Sequence, residues 1–186
     1  MNNILFINAC LRDESRTLRL ANSVLNHIDG NIKTINLYDE VIKPLNKDTL
    51  LLREKAVINN DFSDNCFRNA KDFKEADEVI IAAPYWDLSF PAVLKTYFEN
   101  ICITGLTFIY DGEGKAISLC KAKKLIYVAT AGGYIPKHNF AFDYVDRIAK
   151  EFFGIKETMF IKAEGLDIYP NEAEKILNDV INSLKQ

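Results

Sequence analysis

The chain is poor in the residues that build metal sites and disulfide scaffolds. It has two histidines, His27 and His138, and four cysteines, Cys10, Cys66, Cys102 and Cys120, with no C-x-x-C pair. That leaves no metal centre in view and favours reduced thiols in a cytoplasmic protein over a disulfide framework. No apolar run approaches the ~20 residues that cross a bilayer. Met1-Asn2-Asn3 leads straight into a strand-like run, without the basic n-region or cleavage site of a signal peptide. Charge of one sign is missing too. Against 26 acidic residues stand 23 basic ones, a net −3, so nothing marks the chain for nucleic acid or an anionic membrane. The G-x-G-x-x-G of a dinucleotide fold and the G-x-x-x-x-G-K of a P-loop are both absent. So are repeats, low-complexity tracts and linkers, and residues 1–186 read as one domain.

What is present is an alternation of short apolar runs with amphipathic segments. Strands are expected at Ile4–Ala9, Ile32–Tyr38, Glu78–Pro84, Leu125–Ala131 and Glu157–Ala163. The continuous apolar run of EVIIAAP suits a parallel strand covered on both faces. Helices are expected at Ser15–Asp29, Pro91–Thr104, Phe140–Phe153 (stopped by Gly154) and Asn171–Lys185, where apolar residues recur at helical spacing. Five strands alternating with helices predict an α/β, doubly wound, five-stranded parallel sheet with helices on both faces. Two insertions interrupt the alternation. Asp39–Asn65 is mostly helical over Thr49–Asn59, and Thr107–Leu119 reads as a hairpin around the Asp111-Gly112 turn signal.

In such sheets ligands bind outside the carboxyl ends of the strands, near the switch in strand order. Three segments leave strands there. The first, Asn8 to Thr17, offers Arg12, Arg16, the hydroxyls of Ser15 and Thr17, and the free N–H groups of a helix start. That set suits a terminal phosphate, although Ser15 also suits a plain helix cap. The second, Pro84-Tyr85-Trp86-Asp87-Leu88-Ser89-Phe90-Pro91, crowds aromatics between two prolines, either to meet a flat ligand or to pack on its own domain. The third, Thr130-Ala131-Gly132-Gly133-Tyr134, pairs glycines that let backbone approach a ligand or make a tight turn. Together the three suit flavin mononucleotide (FMN), bound at the switch point of a flavodoxin-like sheet of order 2-1-3-4-5.

The sequence resembles the FMN-dependent NADH-azoreductase family, within the flavodoxin-like NAD(P)H:quinone oxidoreductases, over essentially its whole length. The carriers are Arg12-x-x-Ser15-x-Thr17, APYWDLSFPAVLKTYFENI from Ala83, TFIY with its glycine turn from Thr107, TAGG from Thr130 and FIKAEGLDIYPNEAEK from Phe160. The resemblance implies a homodimer with FMN at each subunit edge, NADH or NADPH as donor, and quinones or azo compounds as acceptors. It maps the phosphate loop onto Ser15, Arg16 and Thr17. The isoalloxazine loop maps onto Tyr85, Trp86, Asp87 and Leu88, next to Pro84, and a second flavin loop onto Thr130, Ala131, Gly132 and Gly133. Cys10 stands where many members have serine, and Asp87 where asparagine is common. His138 is offset from a histidine that some members carry, and no catalytic role falls to it.

The flavin would carry the chemistry, with no protein nucleophile, while Trp86 and Tyr134 line the flavin and acceptor pocket. A flavodoxin-type electron carrier, or a flavin-free regulator on the same fold, are the rivals. The hairpin and the helical insertion favour the enzyme if they wall an acceptor pocket.

Overall fold

The structure, a computed structural model, describes residues 1–40 and 42–184. Its first strand, β1 (Asn3–Asn8), is followed by α1 (Arg16–Leu25) and β2 (Asn31–Asn36). Next come α2 (Lys47–Asn59), a 3₁₀ turn at Asn65–Phe67, α3 (Arg68–Glu75), β3 (Glu78–Ala82) and α4 (Ala92–Ile101). A short pair, β4 (Phe108–Tyr110) and β5 (Ala116–Ser118), precedes β6 (Lys124–Thr130), α5 (Phe142–Glu151), β7 (Glu157–Ala163) and α6 (Ala173–Ser183).

Strands β2-β1-β3-β6-β7 form one parallel sheet. With the separate hairpin set aside, that is the expected order 2-1-3-4-5. Strand side chains alternate between two cores, as the period of two demands. Leu5, Ile7, Val79, Ile81 and Tyr127 face Phe73, Tyr97, Phe98 and Val145 of α3, α4 and α5. Ile4, Phe6, Ile80 and Val128 face Leu20, Val24 and Leu177 of α1 and α6. Both faces of the central strands are therefore buried, which is why they read as unbroken apolar runs. No helix among the described residues is long and apolar enough to cross a membrane.

The expected elements shift at their ends for local reasons. Helix α1 stops four residues before Asp29, and His27 and Ile28 continue as a tighter turn on Val24 and Leu25 carbonyls. Helix α2 starts two residues before Thr49, because Asn46 and Thr49 form a reciprocal capping box. Pro91 is the N-cap of α4 rather than its first residue. Of the helix expected at the end of the chain, Lys185 lies outside the described residues. Helix α3 has no counterpart in the sequence reading. Its eight residues bury only Ala70 and Phe73, too few turns for a visible period.

The insertions do not stand where the acceptor-wall argument needs them. Helices α4 and α5 descend from the carboxyl edge of the sheet to its amino edge, and the hairpin follows the lower end of α4. There the Ser118 hydroxyl donates to the Phe153 carbonyl at 2.7 Å, and Phe108 stacks edge-on against Phe152 at 4.8 Å. The hairpin loop runs from Asp111 to Lys115, with the Asp111 carboxylate accepting from the Glu113 and Lys115 amides and Gly114 at φ +80°. Helix α2 lies against the same end of α4, tied by Arg53 to the Glu99 and Cys102 carbonyls at 2.9 and 2.6 Å. Among the described residues neither insertion lines the cavity of its own chain.

Candidate functional site

The first loop is shaped by asparagines. Asn8 Nδ2 donates to Asn36 Oδ1 at 3.0 Å, and Asn8 Oδ1 accepts from the Cys10 amide at 2.9 Å, which turns the chain out of β1. The loop then delivers Ser15 to the start of α1. The Ser15 hydroxyl accepts from the Leu18 amide at 3.2 Å, so Ser15 is the helix cap. The amides of Arg16 and Thr17 precede the first bonds within the helix and remain at its positive end.

The second loop leaves β3 through buried Pro84 and folds into a two-residue hairpin. Trp86 and Ser89 exchange both backbone bonds, at 2.9 and 2.8 Å, with Asp87 and Leu88 between them at φ +50° and +67°. Two positive φ angles make a type I′ turn, which favours Asn-Gly and here carries Asp-Leu. This pins half-buried Trp86 beside half-buried Tyr85, whose amide donates to the Thr130 carbonyl at 3.0 Å.

The third loop follows β6 and is laced to the segment after β7. The Gly165 amide donates to the Gly133 carbonyl at 2.8 Å and the Asp167 amide to the Gly132 carbonyl at 2.9 Å. A Cβ on Gly132 would stand 2.1 Å from Asp167 Oδ2, whereas one on Gly133 would meet nothing within 4 Å. Gly132 thus lies directly against the exposed Asp167 carboxylate, while Gly133 faces open space.

These three loops border an open cavity of about 1380 Å³ that starts at the carboxyl edge of the sheet and continues along α1 to Asn26 and Glu174. Its lining takes in Arg12, Ser15, Arg16 and Thr17 from the first loop, Pro84, Tyr85, Trp86 and Asp87 from the second, and Thr130, Ala131 and Gly132 from the third. Cys10, Leu88, Gly133 and Tyr134 lie outside that lining. The Cys10 thiol is buried against the Ala82 carbonyl at 3.8 Å, and burial pushes it up to about 11, against the opposing contact with Ser15. Leu88 points to solvent at the turn tip, 62% exposed. Tyr134 is exposed and donates from its hydroxyl to Tyr169 Oη at 3.3 Å, a bond that raises its pKa. His138 is exposed at the surface, 3.2 Å from Asp143.

Leu11, Leu166 and Asp167 join the lining without having been picked out one by one in the sequence. Asp167 pairs with Arg16 at 3.0 Å. Its only signal was its place in the late stretch FIKAEGLDIYPNEAEK. The cavity therefore brings together the free amides at the start of α1 with Arg12 and Arg16, set among Asp13, Glu14 and Asp167, and the aromatics Tyr85 and Trp86 with the Asp87 carboxylate beside them. An elongated ligand with an anionic group on the helix amides and a flat head on the aromatics matches that arrangement.

Comparison with known proteins follows the same line. A family model described as flavodoxin-like fold matches residues 2–186, which sets the class. An FMN-dependent NADH:quinone oxidoreductase of Clostridium acetobutylicum is 35% identical, covering 100% of this chain and 98% of the relative. One of Coprothermobacter proteolyticus is 35% identical over 94% of this chain and 90% of its own. Among solved structures, an azoreductase from Bacillus anthracis superposes with a TM-score of 0.84 at 25% identity, covering 99% and 97% of the two chains. The chain belongs to the flavodoxin-like fold family and, within it, to the FMN-dependent NADH:quinone oxidoreductases.

Proposed function

We propose that the chain is an FMN-dependent NAD(P)H oxidoreductase that reduces quinones, azo compounds or both, donor and acceptor taking turns on one face of the flavin. The observation that carries this is a single cavity that joins the free amides at the start of α1, with Arg12 and Arg16, to Trp86 on the second loop. The names of the relatives favour turnover over a simple electron carrier.

The residues fit FMN by their donor chemistry. The amides of Arg16 and Thr17, with the guanidinium groups of Arg12 and Arg16, form an anion-binding end for one phosphate. No glycine fingerprint provides for a second. Trp86 offers a face for stacking against an isoalloxazine, and the Asp87 carboxylate an acceptor for a ring N–H. Pro84 and Leu166 supply apolar walls that exclude water around the ring. When bound, FMN supplies hydride acceptance and its return to an oxidant. The protein's part is to bind, orient and shield.

We further read the chain as a single domain over 1–186 that acts as a homodimer in the cytoplasm, with FMN and acceptor contacts extending to the backbone of Cys10 and to Leu88, Gly133 and Tyr134. The test is to release the flavin from purified protein, identify it, and measure oxidation of NADH and NADPH with a panel of quinones and azo dyes. FMN and steady turnover are expected. FAD, no flavin, or flavin without turnover would overturn the reading.

A further inference from the structure

Asp167 touches two of the three loops around the cavity. Its Oδ1 accepts from Arg16 Nη1 at 3.0 Å, and its Oδ2 fills the space that a side chain on Gly132 would need. The backbone holds it in place. Besides the Asp167 bond to Gly132, the Leu166 amide donates to the Ala131 carbonyl at 3.2 Å, and the Ile168 amide to the Gly165 carbonyl at 3.1 Å. Although so anchored, the Asp167 side chain is 75% exposed and lines the same cavity as Arg12, Arg16 and Thr17.

A carboxylate is the wrong sign for that end of the cavity. The start of α1 and two arginines raise the potential for an anion there, and although Asp13 and Glu14 also line the cavity, it is Asp167 that pairs with Arg16. A phosphomonoester carries about −1.5 to −2 charges near neutral pH. Asp167 repels it and contends with it for the same guanidinium. The Arg16–Asp167 pair is itself exposed on both sides, and such pairs exchange partners at little cost.

Resting on the reading of this cavity as an FMN site, we propose that Asp167 is a specificity-determining residue. It is a resident competitor for Arg16 that sets how tightly the cavity holds the phosphate of its ligand. A flavin without a phosphate has no claim on Arg16 and does not feel the competition. Asp167 therefore narrows the gap in affinity between FMN and riboflavin.

The experiment titrates FMN and riboflavin separately into the full chain freed of flavin, and into its Asp167→Asn variant, following flavin fluorescence. Asparagine keeps the shape and an acceptor for Arg16, and circular dichroism checks that both proteins are folded. The variant should bind FMN about 3- to 10-fold more tightly with riboflavin unchanged, a difference that shrinks as salt screens the charge. Equal or weaker FMN binding by the variant would overturn the inference, and weaker binding would make Asp167 the residue that holds Arg16 ready for phosphate. Equal tightening for riboflavin would overturn it as well, since the effect would not come from the phosphate. Failure of the unaltered chain to bind FMN would instead overturn the reading of the cavity, and this inference with it.

Discussion

Thr17 Oγ1 lies 2.7 Å from Thr130 Oγ1, a buried hydroxyl pair that fastens the first turn of α1 to the carboxyl end of β6. Two of the three cavity loops are thereby locked to each other by side chains that the sequence offered only as ligand contacts. Thr17→Val leaves the Thr130 hydroxyl without its partner and should cost about 1–3 kcal/mol of stability. Thr17→Val with Thr130→Val removes both groups and should recover part of that loss. Urea unfolding of the three proteins measures it; an additive double variant would show that the two hydroxyls are not coupled.

Ser15 caps α1 and also lines the cavity, and two substitutions separate the roles. Ser15→Ala removes the cap and should cost about 1 kcal/mol. Ser15→Asp keeps a capping oxygen and helix stability but adds a negative charge at the phosphate end. It should hold its melting temperature while losing roughly tenfold or more in FMN affinity. Thermal melts beside an FMN titration decide it, and normal FMN binding by Ser15→Asp would place the phosphate elsewhere.

Leu88 sits at φ +67° at an exposed turn tip, a conformation that costs a non-glycine residue about 1–2 kcal/mol. Leu88→Gly gives part of that back as added backbone freedom in the unfolded chain. The net expectation is a gain of up to about 1 kcal/mol, or about 2–4 °C in melting temperature for a chain of this size. A lower melting temperature would mean that the Leu88 side chain makes stabilising contacts of its own.

Trp86 is half-buried in the cavity wall and held by backbone bonds rather than by packing in the core. Trp86→Ala should therefore cost less than the ~3–5 kcal/mol typical of a core tryptophan, and weaken flavin binding by about 3- to 10-fold. Unfolding of the flavin-free variant beside its FMN titration measures both. A large stability loss with unchanged affinity would make Trp86 a structural residue.

Burial raises the thiols of Cys10 and Cys102 to about 11 and that of Cys120 to about 12, above the ordinary 9.0. The unfolded chain releases these protons near pH 9, whereas the folded chain keeps them. Stability from this source is complete below pH 9 and is lost as pH rises through about 11 to 12. At pH 8 the buried Cys10 and the half-buried Cys102 and Cys120 are almost wholly protonated, so alkylation of the native protein at these positions should be far slower than in denaturant. Mass spectrometry after timed labelling reads this site by site, and rapid native labelling of Cys10 would contradict its burial.

The sheet was legible in the sequence because Val79–Ala83 and Leu125–Ala129 are buried on both faces and so run unbroken. The three loops were legible because a parallel sheet collects its strand ends at one edge, where arginines, aromatics and glycines stood out. What stayed hidden depends on three-dimensional neighbours. Gly132 lies against Asp167, thirty-five positions away, and no local pattern carries that information. Helix α3 is too short and polar to show a period, and the position of the hairpin follows from which end of α4 it leaves. The buried thiol of Cys10 could not be told from a ligand-facing one by its place in the loop.

The close approach of Gly132 and Asp167 also ties a neutral position to the charge balance of the cavity. A Cβ at 132 would stand 2.1 Å from Asp167 Oδ2 and 3.1 Å from its Cβ, so an alanine there has to turn the exposed carboxylate aside rather than meet fixed backbone. Turning it aside loosens its hold on Arg16. A single methyl group at 132 would thus act on the cavity as an electrostatic change, although no charge is added or removed.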